Sequence, residues 1–341
     1  MKKLLTLLAV ILLTIVISAS GFYFWASSPG LDVSEYAQLK NLSLAKESPD
    51  STWTIVTYNI GYLSGMTNNL PYRKNQKFFE ENMSQVVKAL GSHSIDILAL
   101  QEIDFHANRS YFVKQDEVLM QQLSLPQGAL AVNWDKNYVP FPYFPFEVHF
   151  GRLVSGQAIL SNNPIKEQKR IVLERPYKHP FYYDAFYIDR LAQVCTVQLN
   201  GEEVIVMNIH LEAFDQETRR RQSKYVLDLY KKYQDKPVLL VGDFNSDPHQ
   251  SENPTITLFL QEAGLKSAVP VEASKNLNLC TYPSDNPNEH IDFIFYNQYI
   301  QALDWKVLKG THTASDHLPV LMNFRLNNNK ALSQIHNESR L

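Results

Sequence analysis

An apolar run over 238–242 stops on Asp243, Phe244 and Asn245, and Ser315, Asp316 and His317 set an acid against a histidine just before a second apolar run, Leu318 to Met322. Other apolar stretches of the chain end on Asn59, Glu102 and His210. Singly these mean little, because an Asn after a strand is usually a turn former. Their recurrence on separate strand ends points to one polar site, since function in layered α/β folds collects at strand ends. The residue types suit metal-assisted attack on a phosphate ester. A hard divalent cation takes carboxylate oxygens, and an attacking water must be deprotonated and oriented. The phosphoryl oxygens need donors, and the leaving oxygen needs a metal or an acid. Glu102 and Asp316 offer metal ligands, His210 and His317 donors or proton carriers, and Asp243 a base. Asn59 and Asn245 are neutral positioning groups. Asp292 is expected inside an apolar strand over 290–294. A buried acid there must be paired, and a histidine of the site is the expected partner.

The elements that must hold these groups alternate between strand and helix. Trp53 to Tyr58 reads as a strand ending at Asn59, and Ile95 to Leu100 as one ending at Gln101 and Glu102. Between them, Phe79, Met83, Val86, Val87 and Leu90 recur at helical spacing over 77–90, with Gly91 placed to close the helix. Further strands are expected at 157–161, 191–199, 203–209, 238–242, 291–296 and 318–324, with helices over 215–233, capped by Asp215, and around 255–262. No internal repeat is visible.

The chain has 341 residues, 45% hydrophobic and 20% charged, with a formal net charge of −3. That is ordinary globular composition and lacks the basic surplus of strong nucleic-acid binders. Arg219 to Arg221 is the one dense basic cluster and reads as a solvated helix face. Cys195 and Cys280 are neither a disulfide framework nor a metal finger; one bridge and two packed thiols both fit. Lys2 and Lys3 precede an apolar stretch from Leu4 to about Ala26, and a membrane span needs about 20 such residues. Ile17 to Gly21 could serve as a cleavage site, which would release a secreted protein. An uncleaved anchor is the expectation, because Phe22 to Trp25 would form an interfacial aromatic belt. Lys2 and Lys3 then stay cytoplasmic and the remainder faces outward. The organisation expected is an anchor over 1–26, a linker over 27–51, a catalytic domain over 52–326 and a polar tail over 327–341.

Taken in order, the segments Thr57-Tyr58-Asn59-Ile60, Leu100-Gln101-Glu102, Gly156 to Ser161, Asn208-Ile209-His210-Leu211, Gly242 to Asn245, Ile291-Asp292-Phe293 and Ser315-Asp316-His317 resemble the endonuclease/exonuclease/phosphatase superfamily. The resemblance implies the fold of pancreatic deoxyribonuclease, an α/β four-layer sandwich of two packed mixed sheets flanked by helices. It implies Mg²⁺, with Mn²⁺ as an alternative, at Glu102 with Asn59 and Asp316 nearby. It assigns water activation and phosphate contact to Asp243, Asn245, His210 and His317, with Asp292 orienting a histidine. Two positions depart from the pattern. Gly61 stands where many members carry a polar residue, which puts a second metal ligand on the first strand in doubt, and Asn162 stands where an Arg is common. Other chemistries fit worse: there is no Gly-x-Ser-x-Gly elbow, no paired cysteines beside His210 and Glu212 for a zinc deaminase, and no phosphate-cradling Gly-rich loop.

The substrate is less legible. Trp134 to Phe146 and Tyr177 to Tyr187 are rich in rings, which either pack under a sheet edge or form an apolar rim for lipid or bases. The expected partners are a lipid, nucleic-acid or small phosphodiester substrate and a membrane, with no protein partner inferred. The rival expectation is a catalytically silent lipid- or protein-binding module on the same fold.

Overall fold

The structure is a computed structural model and describes residues 1–43, 51–249, 254–270 and 276–327. Of the polar tail expected over 327–341, all but Asn327 lies outside the described residues. In chain order the elements are α1 (Lys2–Ser27), β1 (Ala37–Asn41), β2 (Trp53–Asn59), α2 (Gln76–Gly91), β3 (Ile97–Ala107), α3 (Gln115–Gln122), β4 (Gln127–Val139), β5 (Gly151–Ser161) and β6 (Ile165–Val172). After them come α4 (Phe181–Asp184), β7 (Leu191–Leu199), β8 (Glu202–His210), α5 (Gln216–Lys231), β9 (Val238–Asp243), α6 (Thr257–Leu260), β10 (Lys266–Ser267), β11 (Asp292–Tyr296), β12 (Ile300–Val307) and β13 (Val320–Leu326).

The strand period of two sorts apolar side chains into layers. In β2, Ile55 faces the second sheet while Val56 faces a helix layer. The same alternation separates Ile97 from Leu98 and Val206 from Ile205. Among the described residues there is a seven-stranded sheet, β1-β4-β5-β3-β2-β13-β12, and a six-stranded sheet, β10-β11-β9-β8-β7-β6. They pack face to face through Ile55, Ile97, Ile159, Cys195, Val206 and Val241. Phe79, Met83, Val86 and Leu90 of α2 cover the outer face of the first sheet, and Val226, Leu229 and Tyr230 of α5 cover that of the second. The result is the four-layer sandwich.

Polar side chains cross the seam between the sheets. Gln101 donates to Asn208 Oδ1 (2.6 Å), and Asn208 donates to the carbonyls of Leu100 (3.0 Å) and Ala158 (3.3 Å) and to Gln193 Oε1 (3.2 Å). Gln157 donates to the Asn208 carbonyl (3.0 Å). Buried amides must be partnered, and these lock the register of one sheet on the other.

Several elements differ from the sequence reading. β3 does not end at Glu102 but runs on to Ala107, with a bulge between Leu100 and Ile103. Asp292 opens β11 instead of sitting within a strand, and the helix expected around 255–262 is the single turn α6. The stretch read as a linker contains β1, which pairs antiparallel with β4 from Ala37↔Ala131 to Asn41↔Gln127. Cys195 and Cys280 are both free and buried, which decides the open question of a bridge. α1 is long and apolar enough to cross a membrane by length and composition.

Candidate active site

Two parallel strand pairs carry the site. β2 and β3 pair with Asn59 opposite Gln101, and β8 and β9 pair with His210 opposite Asp243. β11 runs antiparallel to β9 and sets Asp292 against Asp243. The C-terminal ends of both pairs meet across the seam, where Asn59 Nδ2 donates to Asp243 Oδ2 (3.0 Å). Phe244 holds the β9 end in place. Its ring is fully buried and lies edge-on against Phe259 (4.8 Å), Phe295 (5.2 Å) and Phe293 (5.6 Å), a burial worth about 2–3 kcal/mol. Asn245 follows in the left-handed region (φ 49°), which Asn tolerates. From there it donates to Asp243 through its backbone N–H (2.8 Å) and its amide (3.3 Å). Burial pushes the Asp243 carboxyl up to about 7; His317 pulls against this and Asp292 adds to it.

His317 Nδ1 bonds Asp292 Oδ2 (2.9 Å), and its Nε2 lies 3.9 Å from Asp243 Oδ2. Burial works against the imidazolium, but Asp292, Asp243 and Asp316 outweigh it and hold His317 well above the usual histidine range. His210 is the opposite case. Arg190 Nη1 lies 2.5 Å from His210 Nε2, and a guanidinium can only donate. That nitrogen therefore accepts, which assigns a neutral imidazole with its proton on Nδ1. Burial, then Arg190 and His317, hold His210 well below its ordinary value. Its Nε2 also lies 3.4 Å from Asp243 Oδ2 and 3.9 Å from Glu102 Oε1.

Glu102 sits in the β3 bulge with φ 51°, a distortion that re-aims its side chain. Asn68 Nδ2 donates to Glu102 Oε2 (2.9 Å) and lies 3.5 Å from Asp316 Oδ2. The two carboxylates thus converge on one donor, an all-oxygen set suited to a hard cation. Asp243, Asp292 and His317 also place ligand atoms within 4.8 Å of one another. Their groups are already joined by the Asp292–His317 bond and lie deeper than the half-buried Glu102 and Asp316, so Glu102 and Asp316 are the better cation site. Asn59 is engaged at both ends, since its Oδ1 accepts from Gly61 N (3.1 Å). Gly61 lies against the acids: with φ +53°, a Cβ there would meet Asp316 Oδ1 at 2.7 Å.

All the residues picked from the sequence therefore lie in one cluster. Asn68 and Arg190 were missed. Asn68 lies in an irregular loop with no periodic signal. Arg190 immediately precedes β7, whose register sets Leu191 opposite His210, a tertiary placement with no signal in the local sequence. Tyr282 was missed as well; its ring lies 4.9 Å from that of His317.

A family model described as Endonuclease/Exonuclease/phosphatase family matches residues 56–317. Among solved structures, an endonuclease/exonuclease/phosphatase from Beutenbergia cavernae superposes with a TM-score of 0.59 at 18% identity, over 82% of this chain and 72% of that one. A mannosyl-6-phosphatase from Bacteroides thetaiotaomicron gives 0.55 at 18% identity, over 80% of this chain and 99% of that one. The human Nocturnin catalytic domain gives 0.55 at 18% identity, over 88% of this chain and 99% of that one. No curated protein sequence matches the chain. These likenesses carry the fold, and the match over 56–317 carries the membership: the chain belongs to the endonuclease/exonuclease/phosphatase family of phosphoric ester hydrolases.

Proposed function

We propose that the chain is a Mg²⁺-dependent phosphodiesterase, with Mn²⁺ as a substitute, that hydrolyses its ester by in-line attack of water. The observation that carries this is the Asp292–His317 pair standing beside Asp243, with the Glu102 and Asp316 carboxylates converging next to it. Asp243 takes the proton of the attacking water; Asn59 and Asn245 aim its oxygens. Asp292 fixes the tautomer and charge of His317, whose Nε2 donates to a phosphoryl oxygen. Glu102 and Asp316, with the Asn59 side-chain carbonyl beside them, would hold the metal. When bound, the cation would neutralise phosphate charge and stabilise the leaving oxygen. Arg190 keeps His210 neutral and brings a positive charge to the same pocket.

Anchoring by α1 with the domain outside the cytoplasm completes the proposal. It is supported by Lys2 and Lys3 at the start of the helix. The silent-module reading loses its main support, because Gly61 is not a vacated position but one packed against Asp316. The test is hydrolysis of bis-p-nitrophenyl phosphate and of p-nitrophenyl phosphate by the full chain with Mg²⁺, with chelator, and as Asp243→Ala and His317→Ala. The diester is the faster substrate, and removing either the cation or a side chain lowers kcat by at least about 10²–10⁴. Metal-independent turnover, or full activity in both variants, overturns the mechanism; faster turnover of the monoester overturns the diester assignment.

A further inference from the structure

α1 does not swing on a tether. Its last turn is seated on the catalytic domain: Ala26 is fully buried, Phe22 and Trp25 pack on Tyr138 (5.7 and 6.5 Å), and Tyr23 lies edge-on against Phe186 (5.7 Å) and Phe181 (6.3 Å). β4 then clasps the backbone that follows. Asn137 Nδ2 donates to the Trp25 carbonyl (3.1 Å), Lys136 Nζ to that of Ser27 (2.8 Å), and Asn137 N to that of Ser28 (3.0 Å). The Asp135 carboxylate accepts from Leu31 N (2.8 Å) and Tyr36 OH (3.1 Å). Bonds of this density fix the direction in which the helix leaves, so a bilayer that takes up α1 must meet the same face of the domain each time.

That face is aromatic. Phe144 (74% exposed) and Phe146 (72%) project from the loop after β4, and Phe181 (78%) from the short α4. Each belongs to a run of ring contacts that starts at the helix: Tyr138 to His149 to Phe146 to Phe144 on one side, and Tyr23 to Phe181 to Tyr182 on the other. Rings left in water in such a patch mark an interaction surface. Their continuity with an apolar helix selects the bilayer interface, where aromatic side chains settle. The α4 side also leads to the site. Tyr187 OH donates to the Glu212 carboxylate (2.8 Å), Glu212 pairs with Arg190 (3.6 Å), and Arg190 donates to His210.

We propose that α1 is a rigid mount and that the loops around Phe144 and Phe181 lie in the bilayer interface beside it. The site then acts on phosphate esters whose apolar part stays in the membrane. The substrate half rests on the hydrolase reading above; the mount does not. The test uses the full chain in phosphatidylcholine vesicles. Spin labels at Phe144→Cys and Phe181→Cys are expected to be accessible to lipid-soluble oxygen, and one at Leu303→Cys on β12 to a water-soluble nickel chelate. Labels at 144 and 181 reached only by nickel overturn the mount, whatever the enzyme does. Activity is read on methyl p-nitrophenyl phosphate in solution and on hexadecyl p-nitrophenyl phosphate in the vesicles. Combined Phe144→Ser, Phe146→Ser, Phe181→Ser and Tyr182→Ser lowers turnover of the hexadecyl ester about tenfold or more and leaves the methyl ester unchanged. Equal loss on both esters, or none on either, overturns the substrate half. Wild-type protein that cleaves the methyl ester alone overturns it too while sparing the hydrolase reading. Protein that cleaves neither ester sinks that reading, and the labels still decide the mount.

Discussion

Gly61 shows how closely the acids are packed. Its backbone N–H holds Asn59 Oδ1, its φ of +53° is left-handed, and the space where a Cβ would stand belongs to Asp316 Oδ1 and Ser315 Oγ. Gly61→Ala is therefore expected to destabilise the fold by about 1–3 kcal/mol through backbone strain. It also pushes Asp316 out of line with Glu102, raising the Mg²⁺ concentration needed for half-maximal activity. Urea unfolding and a Mg²⁺ titration read the two effects; a variant with wild-type stability and unchanged Mg²⁺ dependence contradicts this role. At this scale the sequence was most readable where a polar residue interrupts an apolar run, as at Asn59, Asp243 and Asp292. Asn68 and Arg190 gave no such contrast. Asn68 matters because its loop closes over Glu102, and Arg190 because β7 registers on β8. Both are tertiary facts with no local pattern.

Strands dominated by apolar residues were legible almost to the residue: β7 spans Leu191–Leu199 as expected, and β9 extends the expected run by Asp243. β6 was not seen, since it lies at the edge of its sheet and carries Lys166, Glu167 and Lys169 toward solvent, as edge strands do. β1, at an edge of the other sheet, was hidden for the same reason, and β4 was not read as a strand either. The amides of Gln101, Gln157 and Asn208 were read as motif positions, and the structure gives them a different task, fastening one sheet to the other. Asn208 is the centre, holding groups from β3, β5 and β7. Asn208→Leu keeps the branching and the number of heavy atoms and removes the bonds, leaving the Gln101 amide and two buried carbonyls without that partner. The expected cost is about 3 kcal/mol, read as a fall in the urea midpoint. A change under about 0.5 kcal/mol, the range of a neutral surface substitution, means the seam is held by its apolar residues alone.

The whole molecule is a sandwich whose two sheets each contribute to one site, with the last turn of α1 seated on β4 as the proposed mount. That mounting makes the side of the membrane a sharp question, because the domain cannot thread back past its own anchor. On the proposed topology Lys2 and Lys3 at the first turn of α1 stay in the cytoplasm, and a single span of about 20 residues would deliver β4 and everything built on it to the other side. The free thiols make the question measurable. Cys195 lies in the core between the sheets, where burial pushes its thiol far above the usual range, and Cys280 is buried and raised as well. Neither offers a thiolate to a reagent in water, so the native chain is silent to a membrane-impermeant maleimide. Leu303→Cys puts an exposed thiol on β12, at the sheet edge opposite β1. In intact cells stripped of any outer barrier this variant is expected to label fully without lysis, while the wild-type chain stays unlabelled. Labelling that appears only after lysis would put the domain in the cytoplasm and reverse the assignment of Lys2 and Lys3. The rigid mount would survive that result, with the aromatic face resting on the inner leaflet instead of the outer.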